Sequence, residues 1–79
     1  MAQIDITKIK KINRERYTIQ DEVAATYVVF EKAGKKYFQI DTYGRTDRVE
    51  TEKASQIIQI DERSAKELIK LLVKEFDIL

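Results

Sequence analysis

Two groups of side chains in this sequence have chemistry to offer. Asp41, Asp47, Glu50 and Glu52 crowd one polar stretch, and grouped carboxylates are the raw material of a divalent-cation site. Tyr37, Gln39 and Tyr43 alternate along Tyr37-Phe-Gln-Ile-Asp-Thr-Tyr43, and Arg45 and Arg48 follow them. Rings, amides and guanidinium groups in that order suit single-stranded nucleic acid, because bases stack on rings while cations meet phosphates. The carboxylates fall short of a magnesium-dependent nuclease. They lack the strand-borne Glu-Xaa-Lys that would hold a metal and a lysine together, so a solvated acidic loop is expected.

What is missing narrows the chemistry further. The chain has no Cys and no His, which removes disulfides, thiolate nucleophiles, zinc-thiolate sites and the commonest general base. Gly34 and Gly44 stand too far apart to build a phosphate-cradling loop. A non-enzymatic domain without cofactor or metal is the expectation.

Seventy-nine residues, 43% hydrophobic and 37% charged, suit one globular domain over 1–79. No run approaches the roughly 18 apolar residues of a membrane span. The first residues, Met-Ala-Gln-Ile-Asp, have neither the basic start nor the apolar core of a signal peptide, so a cytoplasmic protein that does not enter a membrane is expected. The net charge of +1 predicts no general pull on nucleic acid, but its distribution is uneven. Residues 1–16, with Lys8, Lys10 and Lys11, carry +3, whereas residues 49–79 carry −2, so a local basic patch can still form.

The elements that must position these groups are legible in the patterning. Asp61 suits a helix N-cap, and Ala65, Leu68, Ile69, Leu72 and Phe76 recur at three- and four-residue spacing, which predicts a helix from about Glu62 to Phe76. The β-branched and aromatic runs ending at Lys32 and starting at Lys36 flank Ala33-Gly34, a hairpin signature. A two-residue turn there sets Glu31 against Lys36; on one face it sets Phe30 against Tyr37, Val28 against Gln39 and Thr26 against Asp41, and on the other Val29 against Phe38, Tyr27 against Ile40 and Ala25 against Thr42. Ser55-Gln-Ile-Ile-Gln-Ile60 reads as a further strand that places Ile58 and Ile60 with Phe38 and Ile40 under the helix, and Ile57 and Gln59 with Tyr37 and Gln39 on the far side. Residues 4–12 read as a strand with a helix as the alternative, and Tyr17-Thr-Ile-Gln20 as a short strand or bulge. The expected fold is therefore α+β: a curled antiparallel sheet of four to five strands with one C-terminal helix packed on one face.

Two resemblances follow from these residues. Gln39-Ile-Asp-Thr-Tyr-Gly44 and Ser55-Gln-Ile-Ile-Gln-Ile-Asp61, with Ala65 and Leu68, resemble signatures of a group of small uncharacterised bacterial and prophage proteins. The match spans about half the chain and implies no particular activity. The order of strands and helix is also similar to the positive-cofactor-four family of transcriptional coactivators, with Phe38-Gln-Ile-Asp-Thr-Tyr43 and the run from Ile57 into Leu68 carrying the likeness. That resemblance implies a dimer whose curved sheets bind single-stranded DNA. This chain departs from the family in having no Trp and no Gly-Lys opening the last strand.

One helix cannot cover both faces of a sheet, so the far face decides the function. The nucleic-acid reading assigns Tyr37 and Tyr43 to base stacking, Gln39 and Gln59 to hydrogen bonding, and Arg45, Arg48, Lys8, Lys10 and Lys11 to phosphates, in a dimeric protein. Asp41 on the same face opposes phosphate unless an arginine pairs with it. The alternative reading buries the face, either under Ile4, Ile6, Ile9 and Ile12 or against a second copy in a homodimer. A third makes the domain an interaction module, a phage-type inhibitor or adaptor acting on a host protein.

Overall fold

The computed structural model describes residues 1–44 and 54–79. Four strands form one open sheet: β1 (Ala2–Gln3), β2 (Ala25–Lys32), β3 (Lys35–Thr42) and β4 (Gln56–Asp61), in the spatial order β1-β4-β3-β2. A single helix, α1 (Glu62–Phe76), follows β4 without a linker. The α+β class, the four-stranded sheet and the C-terminal helix agree with the sequence reading. The core pairings are antiparallel, but β1 runs parallel to β4, so the sheet is mixed where an antiparallel one was expected.

The hairpin closes through Ala33 (φ 53°) and Gly34 (φ 77°). Two consecutive positive φ values define a type I′ turn, whose twist matches that of the flanking strands. This turn fixes the register read from the sequence: Glu31 faces Lys36, Phe30 faces Tyr37, Val28 faces Gln39 and Thr26 faces Asp41. On the other side of β3, Phe38 faces Ile60 and Ile40 faces Ile58, so the β4 isoleucines join the helix-side face as expected.

The helix begins where its chemistry dictates. The Asp61 carboxylate accepts from the Ser64 backbone N–H at 2.8 Å, and Glu62 lies in the positively polarised first turn. Asp77 ends the helix in the left-handed conformation, φ 52° and ψ 47°. Ser64, 2% exposed, is the most deeply buried side chain among the described residues, and its hydroxyl donates to the Ile4 carbonyl at 3.4 Å. That contact, with Ile4 N–H donating to the Gln59 carbonyl at 3.0 Å, pins the amino-terminal segment between β4 and α1.

Upstream of the hairpin the sequence reading fails in part. Residues 4–12 form neither the expected strand nor the alternative long helix, but a single 3-10 turn over Ile6–Lys8, capped by Asp5. The Asp5 carboxylate accepts from both the backbone N–H and the hydroxyl of Thr7, and such a local closed loop competes with extended pairing. Tyr17 to Gln20 form no strand, and residues 9–24 have no regular secondary structure. Among the described residues, no helix is long and apolar enough to cross a membrane.

Helix α1 packs against β4 and β3 and makes no close backbone approach to β2. Ala65 faces Val29, Phe38 and Ile60 across a cleft of about 340 Å³. Tyr27, stacked on Phe38 with ring centroids 5.0 Å apart, is still 67% exposed.

Candidate binding face

The face of the sheet away from α1 is built in rows running across β2, β3 and β4. Nearest the hairpin, Lys32 faces Lys35. The next row holds Phe30, Tyr37 and Asp61, with the two rings stacked at 5.4 Å and 23°. Val28, Gln39, Gln59 and Gln3 follow, then Thr26, Asp41 and Ile57. Tyr43 stands at the end of β3, where its N–H donates to the Ala24 carbonyl at 3.0 Å. Strand alternation alone aligns these side chains, since residues two apart share a face.

The residues expected to bind a ligand are not equally free to do so. Tyr37 is half-buried, with one ring face against Phe30. Tyr43 is 8% exposed, and its hydroxyl bonds Thr26 Oγ1 at 3.0 Å. It is a structural ring that presents no platform to a base, which corrects its assignment to stacking. The amides are occupied as well. Gln59 Nε2 donates to Gln39 Oε1 at 2.7 Å, and Gln39 Nε2 donates to Asp41 Oδ1 at 2.8 Å. This chain of bonds aligns three polar side chains and neutralises part of the demand of the Asp41 carboxylate for donors. Among the described residues no cation pairs with Asp41.

The basic residues are divided between locations. Lys8 lies on the 3-10 turn packed beside α1 and is 3.9 Å from the Asp5 carboxylate. Lys11 Nζ meets Glu75 Oε1 of α1 at 3.2 Å, which puts it on the helix side of the molecule. Lys10 is exposed in the same segment. Lys8 and Lys11 thus stand on the helix side and not on the far face. Arg45 and Arg48 lie outside the described residues, as do Asp47, Glu50 and Glu52 of the acidic stretch. Two of the isoleucines expected to fold over the far face, Ile6 and Ile9, instead line a pocket with Arg63, Glu67 and Leu71 of the helix.

Among the described residues, the cations that the strand register places on the face are Lys32 and Lys35, one step along the sheet from the Phe30–Tyr37 stack. The hairpin register already implied this, because a two-residue turn after Lys32 places Lys35 opposite it. Asp61, in the row with Tyr37, carries the opposite sign. Its carboxyl is held below its ordinary value chiefly by the hydrogen bond from the Ser64 backbone N–H, so it stays ionised at neutral pH. The face is thus apolar and basic near the turn, amide-lined in the middle and acidic on one flank.

Comparison of the chain with protein-family models, with curated proteins and with solved structures gave no match.

Proposed function

We propose that this chain is a non-enzymatic binding domain that works by protein–protein contact. The observation that carries the reading is how little the chain buries by itself. It exposes 7530 Å², whereas a folded monomer of 9.3 kDa exposes roughly 5,000 Å². Its radius of gyration is 14.7 Å, against about 12 Å for a self-contained domain of this length. Among the described residues Tyr43 is the one buried apolar side chain, and apolar residues of α1, β2, β3 and β4 stand open. Surface of that extent is costly in water unless another protein covers it. A dye that reports exposed apolar surface tests the reading: the isolated chain under dilute native conditions binds it, and a bound partner protein displaces it. A well-folded chain that ignores the dye refutes it.

Single-stranded nucleic acid is the second reading, favoured by one specific arrangement: the stacked Phe30–Tyr37 pair with Lys32 and Lys35 beside it on one face. A base stacking on such a ring is worth about 1–3 kcal/mol, and each lysine meeting a phosphate makes binding salt-dependent. The occupied amides and Asp41 oppose extended contact along the rest of the face. Fluorescence anisotropy with labelled oligo-dT tests this reading. Binding weakened by Tyr37→Ala and insensitive to Lys8→Ala supports it, and no binding at tens of micromolar in low salt rejects it.

A further inference from the structure

Resting on the protein-contact reading above, we infer that the partner is a second copy of this chain, docked on the open groove between α1 and the outer half of the sheet. The groove has an apolar floor and an apolar wall that do not meet. Its floor is the helix-side face of β2 and β3, where Tyr27, Val29 and Ile40 are exposed. Its wall is the side of α1 that carries Ala65, because Ile69, Leu72 and Phe76 follow Ala65 by four, seven and eleven residues and therefore share its side. All three are exposed, Phe76 at 69%.

What the groove lacks is a helix over β2, since α1 makes no close backbone approach to that strand. What it presents is an apolar helix side with nothing against it. Each copy therefore carries what the other is missing, and this is the condition for an isologous two-fold contact. A stable interface takes about 800 Å² from each partner; the chain as a whole exposes about 2,500 Å² more than a self-contained monomer of its mass, and Tyr27, Val29, Ile40, Ile69, Leu72 and Phe76 of the groove are part of that exposure. Charge does not oppose the pairing, because two copies of net charge +1 repel weakly. A partner present wherever the chain is made also removes the instability of a 79-residue fold with almost no core of its own.

Residues 9–24, between the 3-10 turn and β2, also leave Ile12, Tyr17 and Ile19 exposed, the last at 97%.

Sedimentation equilibrium from about 1 to 100 µM, with thermal unfolding at both ends of that range, tests the inference. The expected mass is twice 9.3 kDa, and the unfolding midpoint rises by about 5–10 °C over the hundredfold range, as mass action on a dimer requires. Val29→Glu, a charge on the groove floor, is expected to yield monomer or to abolish folding. Val28→Glu, on the opposite face of the same strand, keeps the dimer. A monomeric mass at 100 µM with a midpoint independent of concentration overturns the inference, and so does dissociation by Val28→Glu but not by Val29→Glu. A monomer that binds the apolar-surface dye leaves the protein-contact reading standing with a different partner. A monomer that does not bind the dye removes both.

Discussion

Removing the Tyr43 hydroxyl separates a structural ring from a ligand-binding one. The oxygen lies 3.0 Å from Thr26 Oγ1, the ring is 8% exposed and Thr26 is half-buried. A hydrogen bond of this kind contributes about 0.5–1.5 kcal/mol net. Tyr43→Phe leaves the Thr26 hydroxyl close enough to water to recover a partner, so a loss of about 1 kcal/mol is expected. At fixed protein concentration this lowers the unfolding midpoint by roughly 2–8 °C, the lower part of the range applying if the unfolding unit is a dimer. Tyr43→Ala also deletes the ring and costs about 3–5 kcal/mol. A double-mutant cycle with Thr26→Val isolates the bond, and the coupling should match the Tyr43→Phe loss. The assay is thermal or urea unfolding by circular dichroism, with oligo-dT anisotropy on the same variants. Tyr43→Phe should leave any anisotropy signal unchanged, since the ring is not presented to solvent. If Tyr43→Ala unfolds within about 2 °C of the parent, the ring is not holding the sheet, and the burial argument fails.

Two further perturbations test local chemistry. At the type I′ turn, Ala33 occupies φ 53° at a cost that Asn, which tolerates the left-handed region, largely avoids. Ala33→Asn should therefore raise the unfolding midpoint, by up to about 1 kcal/mol, whereas Gly34→Ala, which meets no atom within 4 Å, should lower it through backbone strain alone. Asp61 and Asp5 both have depressed pKa values in the folded state, caused chiefly by hydrogen bonds from Ser64 and Thr7 respectively. Their contribution to stability is fully present above the ordinary carboxylate value of 3.8 and is lost as pH falls through the lower folded values. Acid titration of the unfolding midpoint should show this loss below about pH 4, and Asp61→Asn should flatten it; an identical pH profile for that variant would count against the cap as its origin.

The hairpin, the last strand and the helix were legible in the sequence because each is specified by neighbours along the chain. Lys32-Ala33-Gly34-Lys35 defines a turn, the turn sets a register, and the register assigns Phe30, Tyr37, Gln39 and Gln59 to one face without knowledge of the rest of the molecule. Asp61 and the spacing from Ala65 to Phe76 specify the helix in the same local way. Period-two alternation says which residues share a face, but not what stands above that face.

That second question was left to tertiary structure. Tyr43 reads as an aromatic like Tyr37, yet a hydroxyl seventeen positions upstream and the close of the sheet bury it. Lys8, Lys10 and Lys11 read as a basic patch available to the far face, yet the Ser64–Ile4 contact and the pairing of β1 with β4 carry that segment to the helix side. Their final placement depends on contacts sixty residues apart, and no local pattern encodes where such contacts close. The reach of α1 was equally hidden: its apolar stripe was plain in the sequence, but only its packing against β4 and β3 revealed that it makes no close backbone approach to β2. Helical periodicity specifies an apolar side, and the packing angle in three dimensions decides how much of it the chain can bury.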